Sequence, residues 1–221
     1  SWISNDIGGF TGGVEDGELY ARFVQFGCFS PILRLSADEG KYYKREPWKW
    51  DITTSSVVGK YLRMRHRLIP YLYSEAYRYS RTGLPVVQPL YYRYPEIYDE
   101  PLYRNEYFFG RQLFITPILN KKDLVMNRTI HHFFLPDGIW YDFFTGQKYI
   151  GKHKYIAFYK EEDYPVFAKR GAIIPLSKKS NINNIYKGNI VILDDIQDPG
   201  NLGTILRTCK AFNIDNVIIS K

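Results

Sequence analysis

The chain has 221 residues, 45% of them hydrophobic and 24% charged, with a formal net charge of +7. This balance excludes a disordered tail, and no uninterrupted apolar run of about 20 residues is present to cross a membrane as a helix. The length allows one large domain or two ordinary ones. Cys28 and Cys209 lie far apart and form neither a disulfide framework nor a CxxC metal pair, so both read as reduced thiols of a cytoplasmic protein. The positive charge invites a nucleic-acid reading, but it is spread along the chain: residues 178–221 hold six Lys or Arg against four Asp.

In chain order, a helix is expected from Gly17 to Gly27, with Leu19, Phe23 and Phe26 on its buried side. A second and stronger helical signal runs from Thr53 to Arg81, where Tyr61, Met64, Leu68, Leu72 and Ala76 recur at spacings of three and four. Pro70 lies inside that pattern and should kink it, and Gly83 and Pro85 end it. Arg63, Arg65 and Arg67 read as solvated helix surface, with a binding patch as the sharper alternative.

From Pro85 the texture changes to short β-rich runs: Leu113 to Pro117, Ile130 to Leu135, Trp140 to Phe143, Val166 to Ala168 and Ala172 to Pro175. Pro136-Asp137-Gly138 and Thr145-Gly146 make turns between them, and the whole reads as an antiparallel sheet or sandwich whose strands pair locally. A polar run from Ser177 to Asn184 then reads as a linker. Beyond it, an apolar run from Asn189 to Leu193, a helical stretch from Asn201 to Phe212 and a second β run from Val217 to Ile219 make one βαβ unit.

Several ordered motifs carry a resemblance over about four fifths of the chain. They are Trp2-Ile-Ser-Asn-Asp6-Ile-Gly-Gly-Phe10, Glu18-Leu-Tyr-Ala-Arg22-Phe-Val-Gln-Phe-Gly, Phe29-Ser-Pro-Ile-Leu-Arg34 and Arg45-Glu-Pro-Trp48. Arg65-His-Arg-Leu-Ile-Pro-Tyr-Leu-Tyr73, Phe109-Gly110, Leu135-Pro-Asp-Gly-Ile-Trp-Tyr-Asp142, Pro165-Val-Phe-Ala168 and Gly171-Ala-Ile-Ile-Pro-Leu176 continue it. Together they resemble glycoside hydrolase family 31, the α-glucosidase and α-xylosidase family. The resemblance implies the last two βα units of a (β/α)₈ barrel in residues 1–84, with strand seven ending in Trp2 to Gly9 and strand eight at Leu33 to Leu35. A β-sandwich would follow in residues 85–176.

It also implies a site. Asp6 would accept hydrogen bonds from sugar hydroxyls in the glycone pocket, Phe10 would line the rim, and Arg34 would stand beside the aspartate. Asp6 stands at a strand's C-terminal end, before two glycines, where barrel enzymes place functional groups. Without the family likeness, Asp6 and Arg34 would read as a structural ion pair. Ser36 stands where the family usually carries a histidine that holds the same sugar, which leaves the choice between glucoside and xyloside open. Trp48 and Trp50 are candidates for stacking on a pyranose or for plain packing. The catalytic nucleophile and acid/base of the family lie upstream of the DIGGF segment, so no catalytic residue is assigned and a retaining pair of carboxylates is missing. The expected partner is an α-linked oligosaccharide or α-glycoside, with no cofactor, metal or membrane.

A second resemblance covers Gly188 to Lys221. Ile190-Val-Ile-Leu-Asp194-Asp-Ile-Gln-Asp198-Pro-Gly-Asn201-Leu-Gly-Thr-Ile-Leu-Arg207 is similar to the first motif of the SpoU class of RNA ribose methyltransferases. That likeness implies that Asn201 and Arg207 sit near the methyl-transfer site and RNA. The parts forming the α/β knot and binding S-adenosylmethionine would lie beyond Lys221, so cofactor and RNA belong to the parent of this tail alone. The expected fold class is thus α/β plus all-β: barrel end, β-sandwich, a linker over residues 177–187, and a βαβ fragment over residues 188–221. The chain reads as the C-terminal part of a family 31 α-glycosidase joined to the opening of a SpoU-like methyltransferase. The alternatives are an RNA 2′-O-ribose methyltransferase fragment or a non-catalytic sugar-binding remnant.

Overall fold

The computed structural model describes residues 2–38, 45–177, 190–193 and 216–219. The chain divides into two compact units, Ser1–Ser177 and Lys178–Lys221.

In the first unit, β1 (Ser4–Ile7) and β2 (Ile32–Leu35) pair in parallel, and Asp6 stands directly opposite Arg34. Helix α1 (Gly17–Cys28) connects them, giving one βαβ turn of the expected barrel. Asp16 caps α1 by accepting the Leu19 N–H at 3.0 Å. The fully buried face of α1 includes Tyr20, Ala21, Val24, Gln25 and Cys28, and Phe23 and Phe26 pack half-buried against the same core as expected, so only Leu19 departs from the expected side. Leu19 is 58% exposed, and together with the half-buried Phe23 and Phe26 it lines a groove of about 480 Å³ closed by Ile118 and Leu119. Apolar spacing cannot tell which member of an apolar stripe falls outside the core.

The long helical signal becomes two helices, α2 (Ile52–Arg67) and α3 (Ile69–Thr82). The expected kink is a break at the fully buried Leu68, with Pro70 in the first turn of α3, where a missing N–H costs little. Asp51 caps α2 by accepting the Thr54 N–H at 3.0 Å. Of the three arginines on α2, Arg65 departs from the surface reading. Its guanidinium turns inward and donates to the carbonyls of Cys28 (3.1 Å), Pro31 (2.6 Å) and Ser30. It thereby satisfies the C-terminal end of α1, whose last carbonyls have no helical partner.

The β-rich half forms a six-stranded antiparallel sheet in the order β3-β4-β5-β10-β7-β8. Its strands are Val87–Pro89, Tyr107–Phe109, Leu113–Ile115, Val166–Lys169, Ile139–Asp142 and Lys148–Ile150 in that order. A separate antiparallel ribbon pairs β6 (Thr129–Leu135) with β9 (His153–Tyr159). The short helix α4 (Pro95–Tyr98) lies between β3 and β4 in sequence. The expected strand at Ala172 to Pro175 is absent, and that segment is irregular chain.

Side chains of the sheet alternate between two cores. Tyr107, Phe109, Leu113, Ile115 and Val166 join a cluster with Val24, Cys28, Tyr61, Leu68 and Tyr71 of the helices. Phe108, Phe114 and Phe167 join Phe133, Leu135 and Trp140 in a second cluster beneath the ribbon. The central strands are therefore buried on both faces and read as unbroken apolar runs, YFF and LFI, without alternation. The half that begins at Pro85 shares its larger core with the helices.

Donors from the helices also grip the 160–163 turn. Arg22 donates to the carbonyls of Asp163 (2.6 Å) and Lys160 (3.0 Å), Gln25 to that of Glu161 (2.7 Å), and Lys60 to that of Glu162 (2.8 Å). Gly110, at φ +66°, lies so close beneath α3 that an added Cβ would meet Glu75 Cγ at 2.7 Å.

In the second unit, β11 (Ile190–Leu193) and β12 (Asn216–Ile219) pair in parallel, as the βαβ reading requires. The helix expected between them, including Asn201 and Arg207, falls outside the described residues, as do the linker residues 178–187.

Candidate functional site

The site begins at the C-terminal ends of β1 and β2. Parallel pairing with Asp6 opposite Arg34 brings a carboxylate and a guanidinium onto neighbouring strands, and Arg34 Nη2 donates to Asp6 Oδ1. The side chains of Arg34 and Asp6 are 55% and 29% exposed, so the pair faces solvent rather than a core. Charged partners in this arrangement can hold the adjacent hydroxyls of a sugar through charge-assisted bonds, stronger than neutral ones.

The chain after Asp6 turns sharply: Gly8 and Gly9 have φ of +92° and +84°, and the Gly9 N–H returns to the Asp6 carbonyl at 2.8 Å. Only glycine adopts these angles without strain. Phe10 follows, 48% exposed, and its carbonyl accepts the Asp38 N–H at 2.8 Å. This bond joins the loop after β1 to the loop after β2, which also carries the half-buried Ser36. Trp48 stands in a 3₁₀ turn at Pro47–Lys49 and is 77% exposed. Trp50 behaves differently: it stacks on Tyr20 with ring centroids 4.7 Å apart and packs against the helical core.

Sequence reasoning missed Arg45. Its Nε and Nη2 donate to the Gly9 carbonyl at 3.1 and 2.6 Å, and its own carbonyl accepts the Tyr20 hydroxyl at 2.6 Å. Burial pushes that phenol up to about 12, so it remains a donor across the neutral range. An added Cβ at Gly8 would come within 2.8 Å of Arg45 Cδ, so the glycine lets the arginine lie flat against the turn. The signal was present in the Arg45-Glu-Pro-Trp48 segment but could not be assigned to a contact 36 residues away. Among the described residues, no group of three or more His, Cys, Asp or Glu could hold a metal ion. Asn201 and Arg207 lie outside the described residues.

Comparison with known proteins decides the family. Residues 1–75 match the family model of the glycosyl hydrolases family 31 TIM-barrel domain, and residues 83–174 that of the glycosyl hydrolase family 31 C-terminal domain. Residues 1–174 belong to glycoside hydrolase family 31. Within that family the chain is 33% identical over 196 residues to an isomaltosyltransferase of Sporosarcina globispora, covering 85% of this chain and 17% of that protein. It is 30% identical over 190 residues to an alpha-xylosidase of Saccharolobus solfataricus, covering 83% of this chain and 24% of the relative.

Among solved structures, a GH31 dextranase of Flavobacterium johnsoniae complexed with isomaltotriose superposes with a TM-score of 0.68 at 30% identity. That match covers 86% of this chain and 23% of the dextranase. The 221 residues thus span about a fifth of the length of their family 31 relatives. Residues 188–221 match the model of the SpoU rRNA Methylase family.

Proposed function

We propose that residues 1–176 supply the glycone-binding floor and the adjoining β-sandwich of a retaining α-glycosidase acting on α-linked oligosaccharides. The observation that carries this reading is the solvent-facing Asp6–Arg34 pair at the C-terminal ends of two adjacent parallel strands. Asp6 and Arg34 hold sugar hydroxyls, Phe10 borders them, Ser36 approaches from the following loop, and Trp48 offers a free ring face. Trp50 is committed to Tyr20 and takes no part.

Double displacement needs a nucleophile and an acid/base about 5 to 5.5 Å apart. Asp6 is engaged by Arg34, and among the described residues no second carboxylate is paired with it, so the reading takes both catalytic groups from the six barrel strands outside these residues. We assign residues 1–84 to the barrel, 85–176 to the sandwich, 177–187 to a linker and 188–221 to the opening of a SpoU-like α/β-knot domain. In that domain we give Asn201 and Arg207 the roles that the SpoU likeness implies, near the methyl-transfer site and RNA. The buried free thiol of Cys28 suits a reducing compartment, and we place the chain in the cytoplasm.

The test joins these residues to the upstream barrel of a family 31 enzyme and measures hydrolysis of aryl α-glucosides and α-xylosides. Asp6→Ala in the fusion should lower kcat/KM by about two orders of magnitude or more, since it leaves Arg34 unpaired in the pocket. Ser36→His should change the ratio of glucoside to xyloside turnover. The 221 residues alone should show none; turnover by them that Asp6→Ala abolishes would overturn the proposal.

A further inference from the structure

The turn that follows Asp6 rests on two side chains with no sugar contact in the reading above, Arg45 and Tyr20. Gly8 lies directly on both: a Cβ added there would meet Arg45 Nε at 2.9 Å and Tyr20 Cδ2 at 3.2 Å. The Gly9 carbonyl accepts two donors of one guanidinium, Nε and Nη2 of Arg45. The next carbonyl, that of Phe10, accepts the Asp38 N–H. Arg45 and Asp38 both follow β2, so the chain after β2 holds the backbone on either side of the Gly9–Phe10 peptide. With the Gly9 N–H returned to the Asp6 carbonyl, the path from Asp6 to Phe10 is set by these bonds.

Arg45 is held in turn from α1. Its carbonyl accepts the hydroxyl of Tyr20, a residue 2% exposed in the middle of the Glu18-Leu-Tyr-Ala-Arg22 motif. The Tyr20 ring stacks on Trp50 with 12° between the planes. Trp50 Nε1 is buried and has no hydrogen-bond partner among the described residues. An unpaired buried donor opposes folding, so the indole stands there through its ring contacts with Tyr20 and the helical core. The series Trp50, Tyr20, Arg45, Gly9 thus runs from the core to the rim of the pocket. A carboxylate that must meet sugar hydroxyls tolerates a displacement of about 0.5 Å, and this series is what keeps its backbone in place.

We propose that Arg45 and Tyr20 are positioning residues of the glycone pocket, setting Asp6 and Phe10 through the Gly9 carbonyl. This rests on the sugar-binding reading of Asp6 and gives helix α1 a part in sugar affinity. Asp6 grips the sugar and leaves bond making to other groups, so its displacement weakens binding more than turnover.

In the fusion with an upstream family 31 barrel, Arg45→Met should raise KM for an aryl α-glucoside at least about tenfold and leave kcat within about threefold. Arg45→Lys returns one donor to the Gly9 carbonyl and should bring KM back to within about threefold of the parent. Tyr20→Phe keeps the ring and its stack on Trp50, and should raise KM about threefold; added to Arg45→Met, it should change KM by less than about 1.5-fold, because it acts through Arg45. It supplies the same reading should Arg45→Met fail to fold. A purely architectural role would lower the melting temperature and leave KM unchanged. In the 221-residue chain, amide exchange at Gly9 should quicken at least about tenfold in Arg45→Met, while the amides of β6 exchange as in the parent. The proposal is overturned by an unchanged KM in Arg45→Met where Asp6→Ala is impaired, by effects of the two variants that multiply in the double variant, or by unchanged exchange at Gly9. A fully active Asp6→Ala fusion refutes the sugar-binding reading instead, and exchange at Gly9 still decides whether Arg45 sets the turn.

Discussion

Arg65 and Gly110 show how single residues in the family motifs act on architecture rather than on substrate. Arg65 spends its guanidinium on three carbonyls where α1 gives way to β2, so Arg65→Met would leave those acceptors buried and unpaired. We expect it to cost about 2–4 kcal/mol in a urea-unfolding experiment, with Arg65→Lys recovering only part because an ammonium cannot fork across three acceptors. At Gly110 a positive φ coincides with close approach of α3, so Gly110→Ala carries both backbone strain and a collision with Glu75. The expected loss is about 2–4 kcal/mol by the same measurement. Both motifs were legible in the sequence, yet their roles were not. A guanidinium on a helix reads the same whether it meets water or a backbone 35 residues away.

The bend between α2 and α3 belongs to the scale of elements. Proline predicted its position, but the break is held by burial of Leu68 and by Arg65 on the preceding turn. Leu68→Ala should therefore destabilise the protein by about 2–5 kcal/mol, whereas Pro70→Ala should change stability by less than about 1 kcal/mol. Thermal melts of the two variants, with circular dichroism to follow helix content, compare these effects directly. A large loss in Pro70→Ala with little loss in Leu68→Ala would assign the bend to the ring instead. The β-rich half follows a related logic. β5, β6, β7 and β10 were read from aromatic and β-branched runs between turn residues, while the three-residue β3, β4 and β8 and the seven-residue β9, which carries two polar residues at its start, were not.

At the scale of the molecule, the helices and the six-stranded sheet share a core. Residues 85–176 expressed alone would expose Tyr107, Phe109, Leu113, Ile115 and Val166 along one sheet face, and should aggregate or melt well below residues 1–177. Stability should also depend on pH through two buried groups that pull in opposite directions. His131 has a folded-state pKa lowered from 6.5 to about 4, so the unfolded chain binds a proton first and stability falls as pH drops through that window, by about 3 kcal/mol at most. Glu106 is raised above 4.5, so its contribution is present below that value and is lost as pH rises towards its folded-state pKa. Glu106→Gln should accordingly raise the melting temperature most at the alkaline end, and His131→Gln should flatten the acid limb. For the tail, 34 residues cannot bury enough apolar surface to make a cofactor pocket. Isothermal titration with S-adenosylmethionine should show no saturable heat; a stoichiometric heat lost on deleting residues 188–221 would contradict this.

The residues of the chain determined the family, the order of its parts, the position of the Asp6–Arg34 pair and the parallel pairing expected in the tail. These follow from motifs and periodicities that are local in sequence, and glycine pairs, capping aspartates and apolar runs act within a few residues of themselves. Tertiary structure alone decided that Leu19 of α1 stays outside the core, that Arg45 pins the Gly8–Gly9 turn, that Arg22 and Gln25 grip the 160–163 turn, and that Glu106 accepts the Phe134 N–H and keeps its other oxygen buried and unpaired. These depend on which surfaces meet across 28 to 141 residues of chain, and local pattern carries no information about the partner supplied from so far away.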